Sequence, residues 1–382
     1  MLRGRIDQGP LTASGSICES SFGVRRVFLL LPMLYLSGNG YLFWRTWQAM
    51  GGLPLWCKIS ATVLFWVVAF GLFAAIGFRD VQMPDWMLNL MFRIGSGWMV
   101  FLLYMVLLLA VFDVARLFLP TMKNHFWYAL PLTISLLFYG YINYKNVRVE
   151  KLEIKLAKCF GKETMRIVAI SDVHLGYGTG HSALKGYVEK INSYNPDIIF
   201  ISGDLIDNNI KPLLAAPFDK TLSDLRAPMG IYMVPGNHEY ICGIDASAEF
   251  LKRTPIQLLR DSIVTLPNGI QIVGRDDYSN RHRKSLGELI SNTIEAYPII
   301  VLDHQPYQLS ETDSLKVDLQ LSGHTHRGQV WPLSVLVDNM YEQSHGYRKW
   351  SYSHIWVSCG LSLWGPPFRI GTNSDFAVID LR

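Results

Sequence analysis

Five short groups in the C-terminal part of the chain carry side chains that could do chemistry. They are Asp172-x-His174, Gly203-Asp204-x-x-Asp207, Gly236-Asn237-His238-Glu239, Asp303-His304 and Gly323-His324-Thr325-His326. Carboxylate and amide oxygens mixed with imidazole nitrogens are a donor set for divalent cations such as Mn, Fe or Zn. Asp172 and His174, like His324 and His326, sit two residues apart, so in extended backbone both members project to the same side. Glycine ahead of Asp204 and of Asn237 permits a tight turn and close backbone approach. Donors from five groups can surround two cations, and a cation pair lowers the pKa of bound water and stabilises an in-line displacement at phosphorus. The pattern points to metal-assisted hydrolysis of a phosphoester.

Each group follows a short apolar run: MRIVAIS, DIIFIS, GIYMVP, PIIVL and VDLQLS. Such runs read as buried strands, and a crevice beyond the strand ends is the usual ligand site of α/β sheets. Leu184, Tyr187, Val188 and Ile191 recur at helical spacing between the first two runs, which adds helices to the strands. Pro267-Asn268-Gly269 between two apolar stretches predicts a hairpin, so the sheet is expected to be mixed, not purely doubly wound. Residues 145–164 read as a basic connector containing an edge strand.

The chain divides near residue 145. Residues 1–144 hold 10 Lys and Arg against 5 Asp and Glu, and residues 145–382 hold 25 against 26. The C-terminal part therefore lacks the basic surface that nucleic-acid binding needs, and no nucleic-acid partner is expected. The N-terminal part has four charge-free stretches, Val27–Trp44, Ile59–Phe78, Ile94–Phe112 and Phe126–Tyr144, of 18, 20, 19 and 19 residues. A bilayer-spanning helix needs about 20 apolar residues, and Trp and Tyr at the edges fit interfacial belts. Four transmembrane helices in residues 1–144 are the expectation, followed by the connector 145–164 and a catalytic domain over 165–382.

Nine Lys and Arg, including Arg3, Arg5, Arg25, Arg26, Arg79 and Arg93, flank one side of these spans, against Arg45, Lys58, Arg116 and Lys123 on the other. Positive flanks stay inside, which predicts cytoplasmic termini and a catalytic domain on the cytoplasmic face of the membrane. Arg25-Arg26 has the look of a twin-arginine export signal, but no cleavage site follows, and the pair reads as a topological anchor. Asp113 and Arg116 are expected to pair locally at the end of the third span. Five cysteines without motif spacing (Cys18, Cys57, Cys159, Cys242, Cys359) read as free thiols.

With all five groups in this order, the sequence resembles the calcineurin-like metallophosphoesterase superfamily over Met165–Arg382. The wording ISDVHLG, PDIIFISGDLID, APMGIYMVPGNHEY and LSGHTHRGQVWP is similar to its bacterial membrane-anchored branch, which includes UDP-2,3-diacylglucosamine pyrophosphatase-like enzymes. The resemblance implies a four-layer α/β/β/α sandwich behind the four-helix membrane domain, and two divalent cations, Mn2+ foremost, with Fe, Zn or Mg as alternatives. It implies that Asp172, His174, Asp204 and His326 hold one cation. Asp204, Asn237, His304 and His324 would hold the other, with Asp204 bridging. A metal-activated hydroxide would attack phosphorus while His238 protonates the leaving oxygen. Asp207 would orient His238, or else cap the following helix.

Of the remaining polar and aromatic residues, Arg281-His282-Arg283-Lys284 reads as a solvated loop, or else as a second phosphate clamp or a contact for anionic lipid, and Arg275-Asp276-Asp277 as a structural turn. His181, His282, His345 and His354 have no place in the pattern; Trp350, Trp356 and Trp364 read as core or as an apolar ledge beside the site. The leading expectation is a membrane-bound phosphohydrolase acting on a phosphodiester or pyrophosphate, with membrane lipid or a lipid-linked phosphate as partner. A soluble nucleotide substrate is the alternative. From a different class, a membrane sensor or transport protein with a regulatory metal-binding domain is the other.

Overall fold

The computed structural model describes residues 16–77, 84–119, 122, 124–161 and 164–382, with side chains from Pro32 onward apart from Asp85. Arg3, Arg5, Arg79 and Lys123 of the charge asymmetry lie outside the described residues, as do the side chains of Cys18, Arg25 and Arg26. Two compact units divide the chain: Met1–Ala69 with Phe101–Thr133, and Phe70–Val100 with Ile134–Arg382.

Four long helices come first: α1 (Ser16–Ala49), α2 (Leu55–Gly77), α3 (Asp85–Phe118) and α4 (Phe126–Lys145). Among the described residues, two helices are long and apolar enough to cross a membrane, Leu55–Gly77 and Trp86–Phe118. The expected four-span domain is thus met by two helices. In α4, Pro131, five Trp and Tyr residues and Asn143 dilute the apolar character. Its last turns do other work: Asn143 Nδ2 donates to the carbonyls of Arg369 and Thr372 at 3.0 and 2.8 Å. In the first unit, Asp113 does not pair with Arg116. It accepts from Tyr41 Oη at 2.5 Å, forms an ion pair with Arg45, and lies 2.8 Å from His125 Nε2.

The catalytic part begins with β1 (Arg148–Ile154), β2 (Met165–Ile170), α5 (His181–Asn192), β3 (Ile198–Ser202), α6 (Lys211–Ala215) and α7 (Phe218–Leu222). Next come β4 (Ile231–Val234), α8 (Asn237–Cys242), α9 (Ile244–Leu251), β5 (Ile256–Leu258), β6 (Ser262–Thr265), β7 (Gln271–Gly274) and α10 (Leu286–Ile290). The last elements are β8 (Ile299–Leu302), α11 (Leu309–Ser314), β9 (Leu319–Ser322), α12 (Leu333–Met340), β10 (Gly346–Lys349), β11 (His354–Val357) and β12 (Asp375–Leu381). They build two six-stranded sheets, ordered β1-β12-β2-β3-β4-β5 and β10-β11-β9-β8-β7-β6. The expected edge strand is β1, parallel to β12. The expected hairpin joins the antiparallel pair β6 and β7. Both sheets are mixed.

Strand periodicity sorts the side chains into layers. In β2, Ile167 and Ala169 enter the core between the sheets, while Val168 and Ile170 face the helices. In β8, Ile300 and Leu302 enter that same inter-sheet core, and Ile299 and Val301 face outward to α10. Leu184, Val188 and Ile191 of α5 cover the first sheet, at the helical spacing seen in the sequence. The order is helix, sheet, sheet, helix. Strands covered on both faces read as continuous apolar runs, which explains why MRIVAIS and DIIFIS carry so few polar residues.

Replacing Asn143 with Ala strips a hydrogen bond from the carbonyls of Arg369 and Thr372. An unsatisfied buried polar group costs about 1–3 kcal/mol. The full chain with Asn143→Ala should therefore melt at lower temperature than the parent in the same detergent.

Candidate metal centre

Strands β2, β3, β4, β8 and β9 all deliver their C-terminal ends to one crevice, and the seven candidate ligands follow them directly. Five of these, Asp172, His174, Asp204, His324 and His326, have φ between 46° and 71°. Left-handed backbone is uncommon for residues other than glycine and costs roughly 1–3 kcal/mol each. It turns each side chain sharply off its strand and into the crevice.

Three glycines give the room. A methyl on Gly236 would lie 2.1 Å from Asp204 Oδ1, on Gly323 1.7 Å from Ser171 Oγ, and on Gly203 2.5 Å from His304 Nδ1. None of these positions has space for a Cβ.

The donor atoms form two groups that share Asp204. In the first, His174 Nε2 lies 3.0 Å from His326 Nε2, and His326 Nε2 lies 3.4 Å from Asp172 Oδ1. In the second, Asn237 Oδ1 lies 3.2 Å from His304 Nε2 and 3.1 Å from His324 Nδ1. Asp204 Oδ2 stands between them, 3.8 Å from His174 Nε2 and 3.2 Å from His304 Nε2. Asp172, His174, Asp204, His304 and His326 are buried, whereas Asn237 and His324 are partly open to solvent. All seven candidates are therefore brought together.

Protonation supports a cation pair in this space. Burial, then the neighbouring charge of His304, pushes His324 down to about 3. Burial, followed by His174 and Arg369, holds His326 well below the usual imidazole range. Both rings then offer lone pairs. Burial would raise Asp204, but the charge and hydrogen bond of His304 outweigh it and carry the carboxyl well below its ordinary value. The neutral rings of His324 and His326 and the ionised carboxylate of Asp204 suit divalent ions. Burial opposes a charge on His304, but Asp204 and Asp172 outweigh it and raise its pKa well above the usual imidazole range, so a bound cation would take the place of its proton.

Beside the pair, His238 Nδ1 lies 3.0 Å from Asp207 Oδ1. Burial lowers the affinity of His238 for its proton, but Asp207 and Asp204 more than offset this, so its pKa is raised. Asp207 is pulled down to about 2: burial opposes ionisation, and His174 and His238 outweigh it. Asp207 does not cap the next helix, which starts at Lys211 behind Ile210. Its neighbour on the crevice side is His238.

Some residues take other roles than the sequence suggested. Asp303 points away from the donors to buried Arg275 at 2.8 Å and to Arg283. Arg283 is accordingly neither in a solvated loop nor a free clamp; it also packs on the Tyr278 ring. Asp276 accepts from Tyr240 Oη at 2.7 Å and Arg260 Nε at 2.9 Å, which is the structural turn. Trp356 is core, whereas Trp364 is 43% exposed with its ring 6.1 Å from that of His238.

Two supporting residues carry more than their sequence context suggested. The wholly buried Glu239 accepts from the backbone N–H groups of Asp204, Ile206 and Gly236 at 3.0, 2.8 and 2.7 Å. Its position three residues after Gly236 is that of a capping-box glutamate, the one signal that could have singled it out. Arg369, also wholly buried, donates Nη1 to the His326 carbonyl at 2.7 Å and Nη2 to the carbonyls of Cys359 and Ser362. No local pattern marks it.

Comparison with known proteins agrees with this geometry. The family model described as calcineurin-like phosphoesterase matches residues 165–328. A metallophosphoesterase of Aquifex aeolicus is 30% identical over 256 residues, covering 64% of this chain and 95% of that one. One from Helicobacter pylori is 35% identical over 223 residues, covering 57% of this chain; the chain spans 60% of its length. A Danio rerio transmembrane protein with metallophosphoesterase domain is 26% identical over 388 residues, covering 93% of this chain and 88% of that one. That similarity extends into the N-terminal helices and outside bacteria.

Partners that orient metal ligands typically change metal affinity by about 10–100-fold when mutated. Glu239→Gln turns an amide NH2 toward one of the backbone N–H donors and should lower affinity by that factor. Metal content after dialysis against graded chelator would show it; unchanged retention would contradict the role.

Proposed function

The chain belongs to the calcineurin-like phosphoesterase family of metal-dependent phosphoester hydrolases, and from that premise we propose that it is a membrane-bound dimetal phosphohydrolase. The bond cleaved is a phosphodiester or pyrophosphate, and the substrate is linked to lipid. The observation that carries the reading is the pair of donor groups sharing Asp204, with His238 beside them.

In this reading Asp172, His174, Asp204 and His326 hold one divalent cation, and Asp204, Asn237, His304 and His324 hold the other. The cations, Mn2+ foremost, supply Lewis acidity and a water of lowered pKa. His238, kept protonated by Asp207 and Asp204, gives a proton to the leaving oxygen. Asp207 holds the ring by its Nδ1 and leaves Nε2 for the substrate. Support for a lipid-linked substrate comes from Trp364 beside His238 and from the two apolar helices of the same chain. We place these helices, with α1 and α4, in a membrane with the catalytic part on its cytoplasmic face.

One observation favours a nucleotide as the second reading. Tyr307 and Tyr341 stack at 15° with centroids 5.3 Å apart, and both border His324 at 6.4 and 6.5 Å. Such a pair could take a planar ring. Turnover of a nucleoside pyrophosphate that exceeds that of any lipid pyrophosphate would favour it.

Chelation should abolish turnover of an aryl phosphodiester by the purified full chain, and Mn2+ should restore it. A metal-loaded chain that hydrolyses neither an aryl phosphodiester nor any lipid pyrophosphate would sink the proposal. His238→Ala should slow turnover by about 10²–10⁴-fold for an alkyl leaving group. The loss should be smaller for nitrophenolate, which leaves without a proton, and metal content should not change. Equal losses for both leaving groups would remove His238 from the acid role.

A further inference from the structure

Past the donors His324 and His326, the chain runs without a charge from Gly328 to Val337 and forms α12. Instead of packing its apolar side inward, α12 buries Ser334 and exposes Leu333, Val335, Leu336 and Met340, the last two by 60% and 72%. At the border of this run, Arg327 and Asp338 neutralise each other at 3.0 Å. A short apolar helix face with its nearest charges paired is unusual on a surface bathed by water.

The backbone ties this face to the membrane helices. Trp331 N donates to the Ile370 carbonyl at 2.7 Å, and Gln329 Nε2 donates to the Trp364 carbonyl at 2.9 Å. The loop holding Trp364 and Ile370 rests on α3 and α4. A methyl on Gly140 of α4 would meet Ile370 at 2.7 Å, and one on Gly97 of α3 would meet Phe368 at 3.9 Å. Ser96 and Gly97 fall at the start of the charge-free run of α3, Ile94–Phe112. Arg93 sits just outside that run and donates to the Tyr177 carbonyl at 3.1 Å. At the end of α4, Lys145 lies over the rings of Tyr141 and Tyr144, at 5.6 and 5.0 Å. Tyrosine and lysine or arginine at the end of an apolar run mark the headgroup level of a bilayer.

We propose that Leu333, Val335, Leu336 and Met340, together with Trp364, lie in the interfacial layer of the lipid bilayer that α2 and α3 cross. The occupant of this face is lipid, the headgroup and upper acyl region, which is where apolar helix faces of this kind settle. The inference rests on the membrane-bound reading above and is independent of what is hydrolysed. Its consequence is positional. The ring of Trp364 is 6.1 Å from His238, so the proton donor stands at headgroup depth.

The test uses the full chain in nanodiscs of phosphatidylethanolamine and phosphatidylglycerol carrying a diazirine acyl chain. After irradiation, lipid adducts are mapped by mass spectrometry. Adducts are expected on residues 328–340 and 361–368 as well as on α2 and α3. Leu336→Asp with Met340→Asp should cut labelling of 328–340 about tenfold while aryl phosphodiester turnover is kept. Labelled α2 and α3 with a bare 328–340 segment would overturn the proposal, as would equal labelling in the double variant. Chain-to-chain crosslinks at 328–340 in place of lipid adducts would also overturn it, by assigning the face to a second copy. The wild-type map decides the matter even where the double variant fails to fold. A chain labelled at 328–340 that turns over no lipid phosphate keeps this face and loses only the lipid-linked substrate.

Discussion

The catalytic part is organised around one electrostatic difficulty: Asp172, Asp204 and Glu239 are carboxylates almost wholly out of water in one crevice. Burial and the charge of Asp204 push Glu239 up to about 7, a measure of how unwelcome a further negative charge is there. Buried charges are tolerated only when paired, hydrogen-bonded or bound to metal. Backbone N–H groups partly answer this, three to Glu239 and the N–H of His238 to Asp204 at 2.9 Å. Imidazoles answer more of it, and two divalent cations would complete the balance. The same crowding that makes an ion-free crevice unfavourable is what gives bound ions a high local field.

Convergence has a mechanical side as well. Five of the donors, Asp172, His174, Asp204, His324 and His326, turn through left-handed backbone within two to four residues of leaving β2, β3 and β9. Strain of that kind persists only where the surroundings over-determine it. Here the surroundings are the inter-sheet core of Ile167, Phe200, Ile300, Leu321 and Trp356, a few residues behind the donors. Arg369 contributes from the opposite side by tying the His326 carbonyl to the Cys359–Ser362 loop. That loop in turn holds Asp172, through Ser362 N on its carbonyl at 3.1 Å. A rigid apolar core and one buried guanidinium thus hold a polar site that could not hold itself.

These roles explain what could be read from the chain before its structure. The candidate metal donors announce themselves because each is a polar residue behind an apolar run, and a change of period or polarity is a local signal. The strands and α5 were visible for the same reason. Arg369 acts on backbone atoms distant in sequence and nothing near it in the chain says so, while the capping-box position of Glu239 marks its bond to Gly236 but not those to Asp204 and Ile206. The pairing of Asp113 is similar: spacing points to Arg116, but the side chain meets Arg45, 68 residues away. The N-terminal helices show the same limit: absence of charge in α4 is a local signal, whereas the fit of its Asn143 and Tyr144 to the loops at Ser362, Arg369 and Thr372 is not.

That fit gives α4 a part in the site which simple anchoring would not require. Asn143 fixes the backbone of Arg369, whose side chain fixes His326, and Tyr144 Oη lies 3.3 Å from Ser362 Oγ. Between the helix and the candidate donor His326 stands only Arg369. A simple tether could be joined through a flexible linker. Here the chain passes from α4 into β1 with only Asn146 and Val147 between them, and β1 is already an edge strand of the catalytic sheet. The catalytic part therefore has no freedom to lift away from α4 without losing the loop that steadies His326.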